Sequence, residues 1–321
     1  MAKNKKKCYS GIGGQAVLEG IMMKNKDKYS VAVRKPDGEI EVDIDEYTGV
    51  VKAPVWKKVP FVRGVLNFID SLVLGMKVLN YSAEFYDEEE SQETKFDKAM
   101  QKVFKGKTEK VLTSLVTIFA IAIAVAMFIV LPLVLTDLLT KDVRNESFIA
   151  MIEGLIRIAV FLLYVVLISI NKDIKRVYKY HGAEHKCINC IERGRDLTVE
   201  NVKKSSRLHR RCGTSFLLFV VLISVVLFFF IRVDNRLLRL VIRLLLVPVI
   251  AGISYEVLRL AGRFDNIIVK IISAPGLLVQ RLTTKEPDED MIEVAIAAVE
   301  AVFDWRDFKE EHFGKKTEND L

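Results

Sequence analysis

Six of the eight histidines and cysteines in this 321-residue chain fall between His181 and Cys212, a tenth of its length. The cluster opens with His181-Gly182-Ala183-Glu184-His185, an H-x-x-E-H order. On a helix the two imidazoles share one face four residues apart, the spacing that binds one metal ion. Glu184 stands close enough to orient or deprotonate a water held by that ion, and the same order occurs in inverted zinc peptidases. Gly182 costs such a helix about 1 kcal/mol relative to alanine, so another part of the chain is expected to approach its backbone. His209 and Cys212 are the third and fourth candidate ligands of a divalent metal, by donor chemistry zinc. Cys187 and Cys190 form a CxxC awkwardly spaced for sharing an ion with both histidines, and they rank second. Four protein ligands would close a tetrahedral site and make it structural, whereas three would leave a position for water. The ligand count therefore favours a structural site and Glu184 favours catalysis. The plainer alternative is a helix carrying two histidines for packing. His312 reads as a surface histidine.

The elements that must position these residues are set by a segregated composition. Apolar residues make up 51% of the chain and charged residues 28%, with a net charge of +7. The apolar excess sits in blocks of the length a bilayer demands, which excludes a plain cytosolic enzyme. Residues 111–136 and 212–231 hold no charge. A third block, 148–170, holds Glu153 and Arg157, and a fourth, 238–256, holds Arg239 and Arg243. Each pair is spaced i,i+4 on one helix face. These groups either snorkel or pair locally, or Arg243 reaches Glu153 inside the bundle. The 171–211 loop carries 12 Lys and Arg, against 2 in residues 137–147 and 2 in residues 232–236. By the positive-inside rule that places this loop and both termini in the cytoplasm. The amino terminus, MAKNKKKCYS, has no apolar core of a signal peptide. All four cysteines then face the cytosol and are expected as thiols or ligands, not disulfides. Basic segments beside anionic lipid headgroups account for the net charge, and no nucleic acid is required.

The expected fold class is an α-helical integral membrane protein: four transmembrane helices, a small β-containing N-terminal domain and a C-terminal amphipathic helix. Residues 1–58 form the N-terminal domain, with a hairpin of residues 29–34 and 39–46 around Pro36-Asp37-Gly38. The glycine-rich stretch 9–23 supplies a further strand or a close backbone approach. It does not match a nucleotide-binding fingerprint. Residues 59–86 contain an amphipathic helix that lies in the membrane interface or packs on the bundle. A polar connector (87–110) follows. After the fourth span come a cytosolic helical region (257–308), with a helix at 288–304 opened by Pro287 and its acidic neighbours, and a disordered tail (309–321).

Several segments together resemble the YqhQ-like family of bacterial membrane proteins: Gly13-Gly14-Gln15-Ala16-Val17-Leu18-Glu19-Gly20-Ile21-Met22-Met23, Phe61-Val62-Arg63-Gly64, His181 to His185, Arg211-Cys212-Gly213-Thr214-Ser215-Phe216, Pro248 to Glu256 and Leu282-Thr283-Thr284-Lys285-Glu286-Pro287. They run in the family's order from about residue 11 to residue 300. The resemblance implies a multi-pass membrane protein of unknown function, sometimes described as a predicted metal-dependent enzyme, and brings no substrate. The enzyme description would fall on His181, Glu184, His185, His209 and Cys212. Where the family places proline after the second-motif histidine, this chain has Arg210. The resemblance also draws in Gln15, Glu19 and Arg63, as functional groups or as structural hydrogen-bonding ones.

The leading expectation is a metal-dependent hydrolase of a membrane-proximal substrate, with Glu184 as general base. The rival is a non-enzymatic scaffold or membrane-protein assembly factor, partnered by another protein or by copies of itself, with a structural metal site. A transporter is the third reading, resting on Glu153, Arg157, Arg239 and Arg243.

Overall fold

The computed structural model describes residues 8–51, 55–86, 108–231, 233, 235–264 and 266–314. Most of the polar connector, the first seven residues of the N-terminal domain and the tail from 315 lie outside the described residues. The chain divides into two compact units. One comprises the described residues of 1–86, 165–220 and 251–321, and the other those of 87–164 and 221–250.

The first unit is built on an antiparallel meander, β1 (Gly13–Val17), β2 (Gly20–Asn25), β3 (Lys28–Arg34) and β4 (Ile40–Glu46), paired in chain order. The expected hairpin is β3–β4, closed through Gly38 at φ 91°. The glycine-rich stretch contributes β1 and most of β2, so it makes a hairpin of its own. Strands β2 and β3 are buried on both faces, which explains their apolar runs. Ile21, Met23 and Ala32 join one core, while Val17, Met22, Tyr29, Val31 and Val33 join another with Leu74 and Val78. Those last two lie on α1 (Val62–Glu84), which covers one face of the sheet. The other face is covered by α5 (Lys172–Ile191) and α10 (Glu289–Val302). Thus the segment expected at 59–86 packs on the sheet through one side. It also touches the ends of two long helices: Phe68 lies 5.4 Å from Phe216, and a Cβ on Gly64 would meet Tyr255 at 2.8 Å.

Among the described residues, four helices are long and apolar enough to cross a membrane, at Ser114–Leu139, Glu146–Ile168, Gly213–Phe230 and Leu237–Arg263. The first comprises α2 (Thr108–Val125), a π turn (Ala126–Val130) and α3 (Leu131–Leu139). The π turn lies just ahead of Pro132, which has no N–H for a regular helical bond. The others are α4 (Glu146–Ile168), α7 (Gly213–Phe230) and α8 (Arg236–Arg263). A short α6 (Val199–Lys203), then α9 (Ile267–Thr283) and α11 (Trp305–Phe313), complete the chain. The fourth apolar helix runs seven residues past the expected end at 256, because Arg63 holds the Glu256 carboxylate with two bonds of 2.6 and 2.5 Å. Residues 309–313, expected to be disordered, form the last turns of α11. There Lys309 is buried on Asp196, and Phe313 packs over Gly194.

In the second unit Glu153 accepts from both Arg157 (2.8 Å) and Arg243 (2.6 Å), and all three are buried. Arg157 also donates to Ser224 at 3.2 Å, and both guanidiniums lie over the ring of Phe228. The local pair and the cross-helix contact therefore occur together. Arg239 stands apart, near Asp137 at 3.8 Å. Removing one partner of a buried ion network strands the others, a loss of about 3–5 kcal/mol. Glu153→Gln is accordingly expected to lower the melting temperature of the detergent-purified protein sharply, and Glu153→Asp far less. Unchanged melting of Glu153→Gln would show that the network contributes little.

Candidate metal centre

The site is organised by α5, whose side chains from Tyr180 to Ile191 are buried except for the half-buried His181. Asn171 caps its amino end by accepting from Asp173 and Ile174. A buried helix carrying His181, Glu184, His185, Lys186 and Asn189 must pair its polar groups internally. Two irregular segments supply the partners. Lys186 donates to the carbonyls of Lys203 and Ser205, both at 2.9 Å, and Asn189 to those of Ser206 (2.8 Å) and Leu208 (3.0 Å). On the other side, Lys285 donates to the Tyr178 carbonyl, and its own carbonyl lies against Gly182. A Cβ on Gly182 would sit 1.9 Å from that oxygen, which is why a glycine stands within the helix there.

Those two segments also fix the histidines. His181 Nδ1 donates to the Thr283 carbonyl at 2.9 Å, and His185 Nδ1 to the Arg207 carbonyl at 2.7 Å. A carbonyl can only accept, so each Nδ1 carries a proton and each Nε2 is left for another ligand. One ligand atom from each of His181, His185 and Cys212 lies within 4.8 Å of the other two. His181 Nε2 is 3.1 Å from the Cys212 sulfur, and Thr214 Oγ1 is 3.0 Å from it. Cys212 directly precedes α7, so its sulfur stands at the positive end of a helix dipole.

These contacts define the electrostatics. Burial opposes the Cys212 thiolate, but the charges and hydrogen bonds of His181 and His185 outweigh it and hold the thiol well below its usual range. Burial likewise opposes the His181 imidazolium, yet Cys212, Glu184 and the Thr283 carbonyl raise that group to about 9. Glu184 lies beside them with its Cγ against Gly14 of β1. Burial pushes its carboxyl up, and the two histidines pull it partly back.

Among the other sequence candidates, the His209 ring lies 5.7 Å from that of His185 but outside the three-donor cluster. His209 is 3.4 Å from Glu192 and is depressed to about 4 by burial. Gln280 clamps its backbone, with Oε1 accepting from the His209 N–H at 2.9 Å and Nε2 donating to the His209 carbonyl at 2.7 Å. Cys187 and Cys190 are buried in the apolar core, and Cys190 donates to the Asp196 carbonyl. Glu19, in the β1–β2 turn at φ 47°, binds Arg176 and the Tyr180 hydroxyl. Gln15 lies against Gly75 of α1, and Arg63 pairs with Glu256. None of these joins the three-donor cluster. Arg207 and Gln280 carried no sequence expectation, and Thr214 and Thr283 stood only within the segments that carry the resemblance. Two of them act through backbone carbonyls, which leave no trace in residue type, but a glutamine within apolar α9 was a readable signal.

The three donors fit a divalent metal. Imidazole nitrogen and thiolate are zinc ligands, both tautomers are preset, and donors in a tetrahedral site stand about 3.3–3.6 Å apart by the usual bond lengths. Here His181 Nε2 and the Cys212 sulfur stand 3.1 Å apart, and all three donor atoms lie within 4.8 Å of one another.

Two predictions follow from this geometry. Gly182→Ala must displace the Lys285 carbonyl and is expected to destabilise the protein by about 3 kcal/mol. Gly13→Ala, with nothing within 4 Å of the added carbon, should melt like wild type. In chelator-stripped protein the depressed thiol contributes stability that is lost as pH falls through its lowered value, and the raised His181 contributes stability that is lost as pH rises through about 9. Wild type should then show thiolate absorbance near 240 nm at neutral pH that Cys212→Ser lacks. A difference emerging only in the ordinary thiol range would contradict the pairing.

The description "Protein of unknown function (DUF1385)" matches residues 59–305, a stretch that holds the whole cluster. The "Uncharacterized protein YqhQ" of Bacillus subtilis (strain 168) is similar, with 37% identity over 296 residues that cover 91% of this chain and 92% of that protein. No solved structure gives a significant match. With its resemblance borne out over most of its length, the chain belongs to the DUF1385, or YqhQ-like, family of proteins of unknown function.

Proposed function

We propose that this chain is a multi-pass protein of the cytoplasmic membrane with a zinc site at its cytosolic face, and that it hydrolyses a membrane-proximal substrate. His181, His185 and Cys212 are the ligands. The observation that carries the reading is the pair of backbone carbonyls on the histidine Nδ1 atoms, which leaves both Nε2 atoms for the ion beside the Cys212 sulfur. When bound, the ion supplies Lewis-acid activation. Three protein ligands leave it a coordination position. Glu184, buried beside the donors and raised by that burial, is the group that accepts and returns a proton. The 12 basic residues of the 171–211 loop support a cytosolic side for the site and for both termini. They also suit an anionic substrate: a lipid headgroup, a phosphate ester or a peptide segment.

A second reading rests on enclosure. Cys212 and Glu184 are only 3% and 5% exposed. An ion held there would tie α5 to Cys212 at the start of α7 as a staple, and the protein would act as a scaffold or assembly factor for another membrane protein or for copies of itself.

Elemental analysis of detergent-purified variants, with turnover of candidate ester substrates, separates the two. Wild type, Glu184→Gln and His209→Ala should each hold about one zinc per chain, and His181→Ala and Cys212→Ala should lose it. Glu184→Gln should then abolish turnover while keeping the metal. Zinc loss in His209→Ala with retention in Cys212→Ala would overturn the ligand set. Complementation in cells by Glu184→Gln but not by Cys212→Ala would select the staple.

A further inference from the structure

The C-terminal region 257–308 reads as cytosolic from its sequence, yet α9 within it has two incompatible faces. Val269, Ser273, Gly276, Val279, Gln280 and Thr283 are buried. This inner face holds the site: Thr283 receives His181, Gln280 clamps His209 and donates to Ser215 at 2.7 Å, and a Cβ on Gly276 would meet Ser215 Oγ at 2.7 Å. The outer face is apolar and exposed: Ile267 is 68% exposed, Ile271 66% and Leu278 58%, with Ile268 and Pro275 beside them. A water-facing helix places polar residues there. On α9 the exposed charges are Lys270 and Arg281, both cationic.

We propose that α9 is an interfacial membrane helix, its outer face immersed at the headgroup–acyl boundary of the leaflet on the side of the His/Cys site. Three observations choose a bilayer as the occupant. First, Ser215, on which α9 rests, belongs to the opening turn of α7, a helix apolar enough to span a membrane, so the apolar surface of α9 continues that of a span. Second, the charges on the outer side are of the sign that anionic headgroups attract, and acids are absent from Ile267–Thr283. Third, α1 repeats the arrangement. It touches the same opening turn through Phe68–Phe216 and exposes Ile69, Leu72, Val73, Met76 and Leu79, with Trp56 and Lys58 exposed just ahead of it. Tryptophan and lysine are characteristic of the membrane interface. The two helices thereby form parts of one lipid-facing collar around the base of α7.

The consequence for the site is direct. The helix whose outer face meets lipid presents on its inner face the carbonyl that sets the His181 tautomer. The collar stands whether or not the cluster binds a metal, so the two readings fail separately.

The test is spin-label accessibility in the full-length protein, reconstituted in nanodiscs containing phosphatidylglycerol. Cysteines are introduced singly at Ile271, Leu278 and, as the aqueous reference, Lys203, whose side chain is 62% exposed. Wild type is the labelling control, because all four of its thiols are buried. The ratio of oxygen to nickel-chelate accessibility should be several-fold higher at positions 271 and 278 than at 203. Equal ratios would overturn the proposal by showing that the face meets water. Protection of 271 and 278 from both reagents would overturn it too, since the face would then be covered by protein.

Discussion

The structure of the first unit depends on one constraint: the second half of α5 is buried on nearly every side although it is rich in polar residues. A buried amide, ammonium or imidazole without a partner costs about 1–3 kcal/mol, and charged groups cost more. Lys186, Asn189, His181 and His185 therefore draw in backbone carbonyls, and those carbonyls come from the ends of α6 and α9 and from the irregular chain beyond α6. The path of residues 203–212 and 283–287 is set by what α5 needs. The convergence of His181, His185 and Cys212 donor atoms emerges as a by-product, because the carbonyls that satisfy Nδ1 also orient Nε2.

The same logic runs through the second unit with fewer participants. Glu153 is the single acid between two buried arginines, and Ser224 and Phe228 complete their surroundings. Such a network on apolar helices fixes which faces meet, since any other rotation would leave a charge in hydrocarbon. Rotational register between helices of uniform hydrophobicity has few other determinants. The segment Ser114–Leu139, from which no described residue joins that network, is also the least buried of the four.

Much of the fold was legible. Charge-free blocks of bilayer length, the β3–β4 hairpin around Pro36-Asp37-Gly38 and the helix after Pro287 all follow from local rules of length, turn chemistry and capping. Less legible were the ends of elements. Glu256 seemed to stop the fourth apolar helix, because a carboxylate in a span is costly; its partner Arg63 is nearly two hundred residues away. Lys309 and its acidic neighbours looked like a solvated tail, because nothing local tells that Asp196 waits beside a buried ammonium.

The candidate site shows the same division. Residue type and spacing alone determined that His181, Glu184 and His185 share a helix, that the cluster is exceptional in a chain with so few histidines, and that Gly182 implies a close approach. Tertiary structure alone decided that the Cys212 sulfur joins the His181 and His185 donor atoms, while His209, whose ring lies 5.7 Å from that of His185, turns its Nε2 to Glu192. It also decided which ring nitrogens turn toward the Cys212 sulfur, since backbone carbonyls from distant segments hold the others and carry no signature in residue identity. Local periodicity records what one element needs, and long-range partners are recorded nowhere but in the fold.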